Sequence, residues 1–299
     1  MKKQSKKFML AGVVLLAVTG LLALTSCKND SVPEPPSEAD WLQEQKKELE
    51  GKTEGTITAP SYLTKGGLVD IAKLLRDLPD GVLVDLDLSQ ATGLTYIAAG
   101  TFIDCFTLKS VKLPSSVTEI GKYAFQHCFS LTKVTIPASV KTIGDSAFFD
   151  CRSLAEITIP EGVTTIGYSA FQNCQSLIEV TIPEGVTTIE ASTFAYCINL
   201  DKVTIPEGVT TIEASTFAYC INLDKVTIPV SVKTIGLDAF YDCSNLNQVI
   251  FKKTDGWHMK NPYDEAELPK SIVVSNAKDN ATNLKDSAGQ WYGKHLIRK

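Results

Sequence analysis

The chain has 299 residues, of which 44% are hydrophobic and 21% are charged, so it is long enough to bury a sizeable core. Its formal net charge is −5, and because four lysines precede residue 8, the remainder carries −9. This acidic balance argues against nucleic-acid binding, which requires a basic face.

A targeting segment opens the chain. An uncharged, largely apolar run extends from Phe8 to Leu24 after the basic start, and it ends in Leu24-Thr25-Ser26-Cys27. This ending resembles the bacterial lipoprotein signal, so we predict a signal peptide over residues 1–27 with acylation of Cys27. An uncleaved anchor helix and ordinary secretion are the alternatives, since the run is nearly long enough to span a bilayer. No other segment could cross a membrane, so the lipid would be the only anchor.

Residues 28–62 predict a flexible tether. The stretch 32–36 is rich in proline and therefore stiff and extended. Residues 37–50 have the cap and stop signals of a short charged helix, but only Trp41 and Leu42 form a large apolar pair in it. A tether of this length would hold a folded body about 30 Å from the lipid. Plain disorder after a signal peptide is the alternative.

Residues 63–90 predict an N-terminal cap made of a helix and a strand. The apolar residues on one face of the helix, over 66–78, are Leu68, Ile71, Leu74 and Leu75, and those of the strand are Val84, Leu86 and Leu88. Asp85 and Asp87 alternate with the strand's apolar residues; two solvated carboxylates are the simple interpretation and a bound cation is the alternative. A solenoid needs an atypical end unit of this kind to cover its first repeat.

Residues 91–251 contain a strict period of 23 residues. Three columns of side chains recur at this interval: Cys105, Cys128, Cys151, Cys174, Cys197, Cys220 and Cys243; Phe102, Phe125, Phe148, Phe171, Phe194, Phe217 and Phe240; Leu108, Leu131, Leu154, Leu177, Leu200, Leu223 and Leu246. Residues 184–206 and 207–229 are identical at all 23 positions. Such a period predicts a solenoid of seven stacked repeats, rich in β-strand with short helical or irregular segments and capped at both ends.

Each repeat contains one short predicted strand. Val203 and Ile205 alternate with Lys202 and Thr204 in a half-buried pattern, and a proline ends the strand. One unit alone is unstable, because the burial of its few apolar side chains does not offset the conformational entropy lost when its backbone is fixed. Stacking must supply the difference.

The repeat pattern is specific enough to suggest a family. The spacing of Pro, Val, Ile, Gly, Ala-Phe, Cys, Leu and Val-x-Ile over 137–159 resembles the BspA-like, treponemal-type leucine-rich repeat, and the end of the chain, 280–299, is similar to the tails of treponemal surface proteins of this class. The resemblance implies a cell-surface protein that binds host matrix or plasma proteins and other bacteria. Glu190 and Glu213 depart from the pattern, where most units have glycine, which puts a local turn in doubt.

The cysteines and histidines predict no chemistry. The seven repeat cysteines are expected to point inward as reduced, packed thiols; disulfides or a metal site are the alternatives, although an odd number leaves one thiol unpaired. His127, His258 and His295 show neither metal-ligand spacing nor a partner typical of a nucleophile–base pair, so they are expected at the surface. We therefore predict no metal, no cofactor and no enzymatic activity.

The exposed strand positions are the best candidates for binding a partner. They are Lys133, Thr135, Glu156, Thr158, Glu179, Thr181, Lys202, Thr204, Lys225 and Thr227. A merely soluble sheet face would look the same. Tyr196, Tyr219 and Tyr241 offer a rival surface. Residues 252–299, with Trp257, Trp291 and Tyr292, are predicted to cap the last repeat, and their charge of +3 could also meet an acidic partner.

Together these features predict a surface-exposed lipoprotein adhesin at the outer membrane or cell surface. Its partners would be host matrix or plasma proteins or other bacterial surface proteins. A structural envelope lipoprotein, facing the periplasm and without a host ligand, is the alternative. An enzyme is disfavoured, because an active site needs unlike groups in fixed positions, whereas a multivalent surface tolerates a duplicated repeat.

Overall fold

The computed structural model describes residues 34–252 and, as backbone only, three later strands. The predicted signal peptide, with Cys27, lies outside the described residues. Nine described strands form one parallel sheet: β1 Glu54–Thr58, β2 Leu83–Asp87, β4 Leu108–Lys112, β6 Lys133–Thr135, β8 Glu156–Ile157, β10 Glu179–Thr181, β12 Lys202–Thr204, β14 Lys225–Ile228 and β16 Gln248–Phe251. Neighbouring repeats pair in register, with Val134 beside Val111 and Val203 beside Val180. The predicted solenoid is confirmed.

Two-residue strands form the second side of each repeat. One sheet contains β3 Tyr96–Ile97, β5 Glu119–Ile120, β7 Thr142–Ile143 and β9 Thr165–Ile166; another contains β11 Thr188–Ile189, β13 Thr211–Ile212 and β15 Thr234–Ile235. Beyond them, β17 Trp257–Lys260, β18 Glu267–Ser271 and β19 His295–Arg298 continue the latter sheet in antiparallel fashion, with β19 beside β15. The side chains of the predicted C-terminal cap, including His258, His295, Trp257, Trp291 and Tyr292, lie outside the described residues.

The core consists of the columns that repeat every 23 residues. The cysteine, phenylalanine and leucine columns are all buried. Consecutive phenylalanine rings from Phe102 to Phe240 stack with centroids 5.1–5.6 Å apart and planes within 11° of parallel. Each ring therefore contacts the same residue in the next unit, and the stack supplies the apolar contact that one unit lacks.

The glycine column is required by close approach and not by backbone conformation. A Cβ on Gly144 would lie 2.7 Å from the amide nitrogen of Lys122 in the preceding unit. The second side of the solenoid divides between β9 and β11, where the column changes from Gly167 to Glu190. The division coincides with this change, whereas Glu213 occupies the same column one unit later and β11 still pairs with β13. The sheet is therefore interrupted at the first of the two glutamate-containing units and not at the second.

The units with glutamate carry a compensating threonine. Thr193 Oγ1 donates a hydrogen bond to the carbonyl oxygen of Glu190 at 2.6 Å, and Thr216 Oγ1 does the same to Glu213 at 2.6 Å. Most glycine-containing units have alanine at the threonine position. The hydroxyl holds the turn in the absence of glycine, and the pairing of β11 with β13 is retained.

The N-terminal part differs from the flexible tether predicted for residues 28–62. Residues Glu38–Leu49 form helix α1, whose Trp41 and Leu49 are buried, and β1 follows as the edge strand of the large sheet. Ile57 of β1 is the register partner of Leu86 in β2. Strand β1 was not predicted, because a single buried apolar residue within five gives little strand signal; the pairing with β2 determines its conformation.

Helix α2 spans Lys65–Asp77, in agreement with the helix predicted for 66–78. Its predicted apolar face is buried. Thr64 caps the helix, with its Oγ1 accepting a hydrogen bond from the amide of Gly67 at 3.3 Å. The carboxylate of Glu38 in α1 accepts hydrogen bonds from the amide of Thr64 and, at 2.9 Å, from its hydroxyl. One acidic side chain thereby fixes α1 to the start of α2.

Candidate protein-interaction surface

The structure brings the ten predicted binding residues together on one face of the large sheet. They form two columns because alternate residues of a strand point to the same side. Nine of the ten are exposed, and Thr227 is half-buried. The first column contains Lys133, Glu156, Glu179, Lys202 and Lys225, and the second contains Thr135, Thr158, Thr181, Thr204 and Thr227. We refer to these ten residues as the strand face.

The threonine column gives the strand face a regular, uncharged edge. Thr181 and Thr204 are direct register partners, and successive threonines are separated by the strand spacing of about 4.8 Å. Threonine is short and stiff at χ1, so the column presents hydroxyl and methyl groups at a nearly constant height. Such a surface permits close approach of another polypeptide.

The charged column divides into an acidic and a basic block. Glu156 and Glu179 are register partners of like charge, and so are Lys202 and Lys225. At the boundary between the blocks, Lys202 forms an ion pair with Glu179. Both side chains of that pair remain more than half exposed, so solvent screens their attraction.

A cleft accompanies each block. The cleft beside the acidic block has a volume of about 470 Å³, and the one beside the basic block has a volume of about 480 Å³. The first is lined by Ala155, Glu156, Thr158, Glu161, Ile178 and Glu179, and the second by Asp201, Lys202, Thr204, Asp224, Lys225 and Lys252. Ile178 is 55% exposed and gives the acidic cleft an apolar side. The strand face therefore combines charge with small recesses.

The rival tyrosine surface also exists. The rings of Tyr196 and Tyr219 stack with centroids 4.4 Å apart, and Tyr241 lies edge-on to Tyr219 at 5.3 Å. Desolvation and the neighbouring phenols raise the pKa of Tyr219 to about 12. Tyr196 and Tyr219 have φ values of 62° and 60°, a left-handed conformation that bulky residues seldom adopt.

A second aromatic group, not predicted from the sequence, lies among the first repeats. The rings of Phe106 and Phe129 stack with centroids 5.0 Å apart, and the Arg152 guanidinium lies 4.8 Å from the centre of the Phe129 ring. All three residues directly follow a repeat cysteine, so the 23-residue period itself could have revealed them. The aromatic character of this column ends after the second unit.

The two aspartates of β2 have protein partners. Asp85 accepts a hydrogen bond from the Ser110 hydroxyl. Asp87 accepts one from the amide of Ser89 at 2.8 Å and lies 3.7 Å from the Lys112 ammonium. Desolvation acts to raise the pKa of Asp87, but these hydrogen bonds and the lysine charge lower it below its ordinary value. Within residues 34–252 the structure contains no group of three acidic, histidine or cysteine side chains arranged to hold a metal.

The repeat cysteines are buried and free, and they are the most perturbed titratable groups. Desolvation raises the pKa of Cys197 and Cys243 to about 12 and that of Cys151 well above its ordinary value. Such thiols are protonated at neutral pH and are poor nucleophiles or metal ligands. Their role is therefore one of packing.

His127, predicted to lie at the surface, has a carboxylate partner in the neighbouring repeat. It is half-buried, its Nδ1 lies 2.9 Å from a carboxylate oxygen of Asp104 in the preceding repeat, and its ring packs against Phe129 and Phe149. The two paired residues are 23 positions apart, so they occupy the same place in consecutive units. This arrangement positions the imidazole between two repeats.

Comparison with known proteins supports the same architecture. The chain matches the profile of the BspA type leucine rich repeat region, in six copies, over residues 85–201 and 165–256. No curated protein matches it. None of the described helices is both long enough and apolar enough to cross a bilayer.

Solved structures of bacterial leucine-rich repeat proteins resemble the chain. One is a leucine-rich repeat protein of T. pallidum, with 34% identity, 54% of this chain and 77% of that chain covered, and a TM-score of 0.49. A leucine rich cell surface protein of Faecalibacterium prausnitzii has 37% identity, with coverage of 60% and 47% and a TM-score of 0.52. A leucine-rich repeat protein of Bacteroides ovatus has 28% identity, with coverage of 58% and 56% and a TM-score of 0.47. The chain spans about half the length of the latter two.

The family profile covers more than half of the chain, and its boundaries enclose the stacked repeats. The 23-residue parallel stack and the buried phenylalanine, cysteine and leucine columns give the physical basis of that match. The chain belongs to the family of BspA-type leucine-rich repeat proteins.

Proposed function

We propose that this protein is a lipid-anchored adhesin that binds host or bacterial proteins outside the cell. The proposal is supported by the predicted lipoprotein signal ending at Cys27, by the leucine-rich repeat family, and by the similarity to a leucine rich cell surface protein. Leucine-rich repeats generally serve protein–protein interaction. The lipid anchor at Cys27 and the class of protein that is bound are tested by the experiments below.

The strand face carries the proposal. It offers two continuous columns of exposed residues, and its clefts beside the charged blocks can accept side chains of a partner. A surface of this kind gains affinity from many weak contacts along the stack, as in multivalent binding. We therefore assign the primary contact to the strand face and a secondary role to the tyrosine surface.

The duplicated repeat favours binding over catalysis. Residues 184–206 and 207–229 are identical, so side chains such as Lys202 and Lys225, or Tyr196 and Tyr219, occur twice in equivalent surroundings. Catalysis depends on a unique constellation of unlike groups. We assign no catalytic activity to the chain.

Protease treatment of intact cells tests the location. Cleavage of the repeats while the outer envelope is intact is the expected result, because an adhesin must reach its partner. Protection of the repeats would favour the structural envelope protein instead. Metabolic labelling with a fatty-acid analogue tests the anchor: the label should be lost in Cys27→Ala and kept in Cys105→Ala, whose thiol is buried in the fold.

Binding to immobilised matrix and plasma proteins tests the contact surface. Reversal of both basic residues, Lys202→Glu with Lys225→Glu, should weaken binding of any acidic partner, whereas Lys233→Glu, an exposed change away from the strand face, should not. Equal binding by all variants would show that the partner does not contact the basic residues, and the tyrosine surface would then be the candidate contact. Absence of binding across a broad panel would argue against the adhesin.

A further inference from the structure

We infer that the strand face also binds a second copy of this chain, because its charged column is self-complementary. In strand order the column reads Lys133, Glu156, Glu179, Lys202, Lys225 and Gln248, and each residue is the register partner of the next. If a second copy of the column is placed opposite the first in the reverse order, the two glutamates of each copy face Lys202 and Lys225 of the other. The strand face is therefore electrostatically complementary to a second copy of itself.

The arrangement corresponds to a twofold axis that runs parallel to the strands and passes between β10 and β12. The two strand faces then oppose each other, and their stacking directions are reversed. Glu179 meets Lys202 of the second copy, and Glu156 meets Lys225 of the second copy. Symmetry produces each contact twice, as expected of an isologous interface. Lys133 meets the uncharged Gln248, so the column contains four opposite-charge pairs and no like-charge pair.

Only this register gives full complementarity. An axis through β10 would place Glu179 against its own symmetry mate and Lys133 against Lys225. An axis through β12 would place Lys202 against its own mate. Like charges in opposition disfavour such alternatives, so the charge order specifies the register as well as the partner.

The isolated chain contains repulsion that the dimer would relieve. Glu156 lies beside Glu179, and Lys202 lies beside Lys225, at the strand spacing of about 4.8 Å, where like charges are destabilising. In the dimer each of these residues gains an opposite charge from the facing sheet. The threonine column is short and uncharged, so it does not keep the faces apart.

The edge of the strand face is compatible with this packing. The residues that follow the strand-ending prolines include Glu184 and Glu207, which would oppose each other across the axis. Lys252 already forms an ion pair with Glu207 at 2.6 Å, so the contact includes a cation. A hydrogen bond and the charge of Lys252, with backbone hydrogen bonds from Val230 and Ser231, also keep the pKa of Glu207 below its ordinary value, despite some desolvation.

The expected dimer is weak and sensitive to salt, because exposed ion pairs are individually weak and screened. It would cover the face proposed above for foreign proteins, so the two partners would compete. The dimer itself does not depend on the adhesin proposal, and no foreign ligand enters its test.

Sedimentation velocity of the full chain, in a non-ionic detergent and over a concentration series, tests the inference. The wild type should form dimers at low salt, and its dissociation constant should rise at least about tenfold near 1 M salt, where the Debye length is about 3 Å. Glu179→Lys should weaken the dimer by at least about tenfold, since two opposite-charge pairs become like-charge pairs. Lys202→Glu should act in the same way.

The double variant Glu179→Lys with Lys202→Glu provides the decisive comparison, because its charge order is again self-complementary. It should bind at least about threefold more tightly than either single variant, by restoration of the symmetric pairs. Lys233→Glu is the matched control and should leave it unchanged. A wild type that stays monomeric at every concentration, a Glu179→Lys dimer as strong as the wild type, or a double variant as weak as either single variant would overturn the inference. Unfolding midpoints measured in parallel show that each variant is folded.

Discussion

The Sγ of Cys151 donates a hydrogen bond to the carbonyl oxygen of Phe125 in the preceding repeat, at a distance of 3.1 Å. The same contact joins every later pair of repeats and the pair before it, at 3.1–3.3 Å. Cysteine suits this position because its small side chain fills apolar space beside the phenylalanine stack while its S–H reaches a buried carbonyl. The thiols therefore join neighbouring units without disulfide chemistry.

Replacement of one of these thiols should destabilise the stack. Cys151→Ala removes a buried sulfur and one of the two hydrogen bonds that the Phe125 carbonyl accepts, the other coming from the Cys128 amide. We therefore expect the free energy of unfolding to fall by about 1–3 kcal/mol. Urea denaturation followed by circular dichroism measures the change. Thr158→Ala, at an exposed position, is the control and should stay within about 0.5 kcal/mol of the wild type. An equal effect of the two substitutions would contradict the role given to the thiol.

Stability should decline at alkaline pH. Burial raises the pKa of Cys151 above the ordinary value of 9.0, so the unfolded chain loses its thiol proton at lower pH than the folded chain does. The contribution of this group is fully present below about pH 9 and is lost as the pH rises toward the folded-state pKa. Denaturation midpoints measured across this range should fall less steeply in Cys151→Val, which lacks one such group. Identical slopes would contradict the prediction.

Thiol reactivity provides an independent measure of burial. In the native protein an alkylating reagent should label few of the seven repeat cysteines, because they are buried and protonated. Denaturation should expose all seven. Mass spectrometry of the labelled chain counts the modified sites, and rapid native labelling of most of them would show that the thiols point outward.

Gly144, in a unit stacked on another glycine-containing unit, should not tolerate a side chain. Gly144→Ala would bring a Cβ within 2.7 Å of the Lys122 amide nitrogen, and we expect a loss of about 1–3 kcal/mol from overpacking. Gly93→Ala is the matched control, because its nearest new contact would be 3.6 Å from the Leu63 carbonyl oxygen. Thermal or urea denaturation of both variants distinguishes them. A harmless Gly144→Ala would show that the repeats can move apart at this point.

Helix α1 should detach when its anchor is removed. Glu38→Ala abolishes the two hydrogen bonds to Thr64, so the amides of residues 38–49 should exchange faster with solvent while the repeats remain protected. Hydrogen exchange with mass spectrometry reports both regions in one experiment. Glu48→Ala, an exposed change in the same helix, should leave the exchange rates unaltered; if it has the same effect, the anchoring role of Glu38 is wrong.

Local periodicity was sufficient to predict the repeats. The inward direction of Phe125, Cys128 and Leu131 follows from their fixed spacing, since every unit must bury the same side chains. The exposure of Lys202 and Thr204 follows in turn from strand alternation. The sequence therefore predicted where the strand face lies, whereas what it binds stays a proposal.

Features that depend on contacts between different parts of the chain were not predictable in this way. Strand β1 owes its conformation to pairing with β2, and the close approach at Gly144 depends on the backbone of the preceding unit. The histidine–aspartate pair also joins two units, and neither His127 nor Asp104 alone suggests the contact. Each case requires knowledge of which atoms lie directly above others in the stack.

The identical neighbours have a consequence for the length of the molecule. If residues 207–229 were deleted, the remaining copy would adjoin 161–183 on one side and 230–252 on the other, and both kinds of junction already occur in the wild type. A third copy would only repeat the junction between 184–206 and 207–229. Gain or loss of this segment therefore creates no new packing contact between repeats. It changes only the number of strands, each with one exposed lysine and one threonine, in the strand face. Recombination within the duplicated segment could adjust the reach of the protein in steps of one strand spacing without any cost to folding.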